Sequence, residues 1–110
     1  LSLPNAEEAH IDDAKISGYL LSLTHPVGRF KAHFFIALGF SAGEPEALTG
    51  ELLRIAVEAQ DSECVETPHG NKYVVRGTLS GPNGRSAPIV TVWIVSPQST
   101  SPRFITAYPS

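Results

Sequence analysis

The stretch Lys72-Tyr73-Val74-Val75-Arg76-Gly77-Thr78-Leu79, then Pro82-Asn83-Gly84, then Ala87-Pro88-Ile89-Val90-Thr91-Val92-Trp93-Ile94-Val95, decides the fold. β-branched and aromatic residues dominate both runs, as strands prefer. Asn-Gly between such runs is a strong hairpin signal. A two-residue turn at Asn83-Gly84 sets Arg76 opposite Thr91 and Val74 opposite Trp93. In that register Tyr73, Val75, Gly77 and Leu79 share a helix-facing side with Val90, Val92 and Ile94, and Lys72, Arg76, Thr78, Thr91 and Trp93 turn the other way.

Outward from this hairpin, Glu63–Thr67 reads as a short strand before it. Beyond the Ser/Pro-rich loop Pro97–Pro102, Arg103–Tyr108 reads as the last strand. Phe104, Thr106 and Tyr108 share a parity there, with the face left open. Upstream, Leu3–His10 reads as an extended lead-in. A first helix starts at Asp12 or Asp13, carries Ile16, Tyr19, Leu20 and Leu23 at helical spacing, and ends before Pro26. A second covers Arg29–Leu38, with Phe30, Phe34 and Leu38 on one face, Phe34 expected in the core, and Gly39 as its stop. A third begins at Glu44-Pro45, with Leu48, Leu52, Ile55 and Ala59 as its stripe. The expected class is α+β, with about three N-terminal helices packed on one face of a C-terminal antiparallel sheet of about four strands.

The 110 residues suit one domain with one core. No apolar run approaches the ~20 residues of a membrane helix, and Leu1-Ser2-Leu3-Pro4 is too short for a secretory signal. The sequence lacks Met, so a processed chain, or a module cut from a longer protein, is expected. The single Cys64 rules out an internal disulfide and a cysteine-rich zinc site, and is expected to pack in the core.

The formal net charge is −3 and the isoelectric point about 5.7, which argues against general duplex-DNA binding. Basic residues nevertheless gather around the strands. His10, His25, His33 and His69 have no metal-ligand spacing, so no metal site and no cofactor are expected. Nucleophile elbows, phosphate-cradling glycine loops and paired carboxylates are also missing. His25 precedes Pro26-Val27-Gly28-Arg29-Phe30-Lys31, a turn feeding a helix that opens with two cations. That is a candidate phosphate site, though composition alone favours the plainer reading, in which His25 caps the first helix and the two cations are solvated.

On the sheet, Lys72, Arg76, Thr91, Trp93, Thr106 and Tyr108 offer cations, hydroxyls and rings. Such a set suits metal-free RNA cleavage, in which a 2′-oxygen attacks phosphate. A half-exposed sheet rich in β-formers explains the same residues.

The strings Leu3-Pro4-Asn5-Ala6, His25-Pro26-Val27-Gly28-Arg29-Phe30-Lys31-Ala32, Leu38-Gly39-Phe40, Gly70-Asn71-Lys72-Tyr73, Val92-Trp93-Ile94 and Arg103-Phe104-Ile105-Thr106-Ala107-Tyr108-Pro109 resemble an uncharacterised family of small bacterial domains. By element order and the Thr-Ala-Tyr-Pro ending, that family resembles the barnase–EndoU–colicin–RelE group of ribonuclease toxins. The resemblance implies a stand-alone toxin or the C-terminal toxin module of a secreted protein. Such a toxin acts on RNA in the cytoplasm and is neutralised by a small antitoxin or immunity protein. By this analogy Lys31, His25, Arg76, Thr91, Thr106 and Tyr108 are the expected catalytic set, with Arg29, Lys72 and Trp93 binding substrate. The alternative is a non-catalytic interaction module, either an antitoxin or immunity partner or an adaptor, which the acidic balance favours.

Overall fold

A computed structural model describes residues 2–110; Leu1, the first residue of the start considered above, lies outside the described residues. After a single 3-10 turn at Ala6–Glu8, helix α1 covers Asp13–Lys15 and runs straight into a π-helical turn at Ile16–Leu20. Helices α2 (Arg29–Ala37) and α3 (Pro45–Glu58) follow. Strands β1 (Glu63–Thr67), β2 (Gly70–Ser80), β3 (Ser86–Val95) and β4 (Arg103–Pro109) form an antiparallel meander in chain order. The α+β class and the order of helices before strands are as expected.

The first helix is shorter than its apolar spacing predicts. The Leu21 amide donates to the Ile16 carbonyl over 2.9 Å, a five-residue step that widens the turn. Ile16 and Leu20 are buried, whereas Leu23 falls beyond the turn and is exposed.

In α2 the buried face is Ala32, Phe35 and Leu38; Phe30 is 73% exposed and Phe34 only half-buried. The expectation for Phe34 therefore shifts by one residue, to Phe35. The helix ends in a Schellman motif. The Gly39 amide donates to Ile36 over 2.9 Å and the Phe40 amide to Phe35 over 3.2 Å. Gly39 has φ 98°, which a side chain would resist. Phe40 and Phe35 are both in the core, the apolar contact that accompanies this stop. In α3, Pro45 fills the first turn and Leu48, Leu52, Ile55 and Ala56 face inward.

The β2–β3 register differs from expectation by one residue. Ser80 pairs with Ser86, so the connection has five residues rather than two. The cause is Asn83. Its side-chain amide donates to the Ala37 carbonyl over 3.0 Å and its main-chain amide to Leu38 over 3.4 Å. The turn residue is thus recruited to the exposed carbonyls at the end of α2, and the hairpin closes around it. A one-residue slip reverses every side chain of one strand. Val75, not Arg76, lies opposite Thr91, and Tyr73, not Val74, lies opposite Trp93.

The β2 faces are as expected, with Val75 and Leu79 inward and an Ile55 methyl lying against Gly77. Those of β3 are reversed. Ile89 and Trp93 join the helix-side core, and Val90, Val92 and Ile94 line the outer face. Trp93 packs edge-on against Phe104, with ring centroids 5.3 Å apart. A bulge at Ile105 then shifts β4, so Ala107 faces the helices while Thr106 and Tyr108 turn outward beside Val92 and Val90. Cys64, expected in the core, is exposed on the edge strand opposite Tyr73.

Candidate functional site

The outer face is laid out in cross-strand rows. Arg76, Val90 and Tyr108 form one; Glu63, Val74, Val92 and Thr106 the next; Val65, Lys72, Ile94 and Arg103 the third. The centre is aliphatic and the flanks carry Arg76, Lys72 and Arg103. Arg76 approaches Glu63 at 3.9 Å, with both side chains mostly in water. Among the described residues neither Lys72 nor Arg103 has an ion-pair partner, whereas Arg54 on α3 is held by Glu51 and Glu58 at 2.9 and 3.0 Å. Charge is segregated. The acidic balance of the chain resides in its N-terminal segment and in Glu44–Asp61, and the sheet rows are basic.

At the β4 edge the helices reach this face. Gly28, the residue before α2, is buried so close to the π turn that a Cβ there would sit 2.1 Å from the Tyr19 carbonyl oxygen. This approach requires glycine, and it carries Lys31, one turn further on, to the Tyr19 side chain. The Lys31 ammonium donates to the Tyr19 phenol over 2.9 Å and to the Thr106 hydroxyl over 2.8 Å. It lies 4.9 Å from the Tyr19 ring centroid and 6.0 Å from that of Tyr108. An ammonium has three donors, so one N–H remains for a ligand.

Burial pushes the Tyr19 phenol pKa up. Hydrogen bonds with Lys31 and Thr106, together with the Lys31 and Lys15 charges, outweigh this and hold it below the ordinary tyrosine value. His25 stands edge-on to Tyr19 at 5.0 Å. Its Nδ1 accepts from the Val27 and Gly28 amides over 3.0 and 2.9 Å, which fixes the entry to α2 and leaves the proton on Nε2. This is a capping role, served on the second helix rather than the first.

Of the residues singled out from sequence, the structure brings Lys31, Thr106 and Tyr108 together, with His25 behind Tyr19. Arg76 shares a row with Tyr108 across Val90 but touches neither Lys31 nor Thr106. Lys72 is exposed two rows away. Arg29 lies over the ring of exposed Phe30 at 4.7 Å. Thr91 and Trp93 are buried in the core. The Thr91 hydroxyl donates to the Val75 carbonyl and accepts from the Trp93 indole, each over 2.9 Å. The reversed register of β3 is the reason, and neither side chain reaches a surface ligand. Tyr19 entered the sequence reading only as a core-stripe residue. Its one available signal was that a half-buried phenol needs a polar partner.

No group of three or more His, Cys, Asp or Glu side chains able to hold a metal ion occurs among the described residues. No helix there is long and apolar enough to cross a membrane.

The sequence matches DUF6883, a domain of unknown function, over residues 2–110. The chain belongs to the DUF6883 family. No curated protein matches it. The fold of this DUF6883 chain is similar to that of a chain in the contact-dependent growth inhibition toxin–immunity protein complex from Klebsiella pneumoniae 342. The TM-score is 0.72 at 18% identity, over 96% of each chain. At that identity the likeness is one of fold.

Proposed function

We propose that this DUF6883 chain is a metal-independent ribonuclease of toxin type, held in check by a small immunity or antitoxin partner and related to the barnase–EndoU–colicin–RelE group. The observation that carries the proposal is the Lys31 ammonium, fixed between Tyr19 and Thr106 beneath the Tyr108 ring on a face that also carries Arg76, Lys72 and Arg103. Support also comes from the fold shared with a toxin–immunity complex and from the Thr106-Ala107-Tyr108-Pro109 ending. Delivery as part of a longer secreted protein and action in the cytoplasm belong to the same reading.

In this reading a phosphodiester lies over β4, with a non-bridging oxygen on the free Lys31 N–H. The Tyr19 oxygen, as phenolate, takes the 2′-hydroxyl proton. The 2′-oxygen attacks phosphorus, and Lys31, with Thr106 setting its direction, stabilises the charge that develops. The bond to the 5′-oxygen breaks, and the Tyr108 hydroxyl supplies the proton that leaving group needs. The products are a 2′,3′-cyclic phosphate and a 5′-hydroxyl. His25 acts by holding the α2 entry and the Tyr19 ring. Arg76 grips a phosphate beyond Tyr108.

Expression without a partner tests the reading. The wild-type chain should arrest growth, and Lys31→Ala should grow normally at equal protein level. Free growth of cells making folded wild-type protein, with RNA intact, favours the non-catalytic module.

A further inference from the structure

One cavity opens on the same face but outside the Lys31 cluster. It measures about 210 Å³ and is lined by His10, Ile94, Ser96, Ser99, Ser101 and Arg103. Four parts of the chain build it, with Arg103 contributed by β4. The lead-in docks on β4 through a parallel bridge, where the His10 amide donates to Pro102 over 3.0 Å and the Phe104 amide to His10 over 2.9 Å. Strand β3 supplies the Ile94 floor. The loop after it brings the serines, tied to the lead-in by Asn5 donating to the Thr100 carbonyl over 3.0 Å and by the Ser101 hydroxyl donating to Glu8 over 3.0 Å.

The polar groups facing this space are mainly donors. Arg103 offers a guanidinium with no carboxylate partner among the described residues. His10 offers an imidazole. The Ser99 oxygen accepts from the Ser101 amide over 3.1 Å, which leaves its O–H to donate. Glu8 is the nearby carboxylate, and Ser101 engages it. A cation, an imidazole and a hydroxyl converging above an aliphatic floor suit a phosphate oxyanion. The cavity is smaller than sites for whole drug-sized ligands, so it holds a phosphate with part of its ribose rather than a complete nucleotide.

Its position gives the pocket a role. Arg103 and Thr106 are three residues apart on β4, roughly 10 Å at strand rise, and Thr106 is the Lys31 partner. We propose that the His10–Arg103 pocket is a second phosphate subsite, which grips the RNA strand a nucleotide or two from the bond being cut. It thereby makes an extended single strand the preferred substrate. This rests on the ribonuclease reading for its biological sense, but the pocket can be tested alone.

Two measurements separate them. In the first, inorganic phosphate is titrated into the wild-type chain and into Arg103→Gln, following the His10 and Arg103 side-chain NMR signals. Saturable shifts confined to wild type are expected; shifts that persist in Arg103→Gln, or none in wild type, overturn the pocket. In the second, 2′-O-methyl RNA, which cannot be cleaved, is bound as a dinucleotide and as a hexanucleotide. Arg103→Gln and His10→Gln should each weaken hexanucleotide binding about tenfold while leaving the dinucleotide unchanged. Arg103→Gln should also lower the salt slope by about 0.7, one single-strand phosphate contact. Equal hexanucleotide affinity and slope in variant and wild type overturn the proposal even where RNA is cut. Phosphate capture at the pocket by a chain that cuts no RNA sustains the site and sinks the ribonuclease reading. Both side chains are exposed, and thermal melting confirms that the variants fold.

Discussion

The Lys31 ammonium of α2 donates to the Thr106 hydroxyl of β4 over 2.8 Å, joining positions 75 residues apart. The contact requires three features at once: the Gly28 approach to Tyr19, the widened π turn that sets the Tyr19 direction, and the Ile105 bulge that turns Thr106 outward. The side chains of Lys31, Thr106 and Tyr108 themselves lie outside the core, so the site can be emptied without unfolding the chain.

The Tyr19 phenol sets the pH dependence. Its pKa lies below the ordinary tyrosine value of about 10, so more of it is phenolate at a given pH. A base must be deprotonated to act. The rate constant kcat/KM should therefore rise with pH with its half-point below the ordinary tyrosine value, and Tyr19→Phe should remove that rise along with most activity. A wild-type half-point above that value, or a rise kept by Tyr19→Phe, excludes Tyr19 as the base.

The outer and inner faces of β3 differ in what they tolerate. Thr91→Val strands the buried Trp93 indole N–H and should cost about 1–3 kcal/mol. Trp93→Ala should cost about 3–5 kcal/mol. Urea melts measure both. Losses near zero would restore the register in which Trp93 faces solvent.

Much of this architecture was legible beforehand. The ends of β1, the Pro45 start of α3 and the Gly39 stop follow from local chemistry, because caps and strand preference act within a few residues. The hairpin register was not legible, because Asn83 answers to the carbonyls of α2, far away in sequence. That pair of tertiary hydrogen bonds carried Thr91 and Trp93 from the expected surface into the core. Lys31, Thr106 and Tyr108 remained together because their placement depends on β4 and α2 rather than on the hairpin. Tyr19 was hidden by its spacing, which is that of an ordinary core residue.

Helix α2 gives a paired stability test. Phe35 is fully buried and Phe30 is 73% exposed. Phe35→Ala should cost about 3–5 kcal/mol, and Phe30→Ala should stay within about 0.5 kcal/mol. Chemical denaturation of both variants checks which face packs.

Glu51 links stability to acid. Hydrogen bonds from Arg54 lower its pKa most; burial opposes them, and the Ser80 amide and the Arg54 charge add to the lowering. A carboxylate depressed in the folded state contributes stability above its unfolded pKa of about 4.3. That contribution is lost as pH falls through the lower folded value. Glu51→Gln should cost about 1 kcal/mol at neutral pH, allowing for partial exposure. The wild-type melting temperature should converge on that of the variant as pH drops from about 5 to 3. A gap that stays constant with pH would show that the Arg54 pair contributes nothing through its charge.

The most direct measurement incubates purified chain with total RNA in the presence of a chelator and maps the new ends. Wild type should generate 2′,3′-cyclic phosphate and 5′-hydroxyl ends. Lys31→Ala should lower the rate by about 10²–10³, the loss expected when one oxyanion donor is removed, while its melting temperature stays within a few degrees of wild type. Intact RNA with folded wild type, or undiminished cutting by Lys31→Ala, would contradict a Lys31-centred cleavage site.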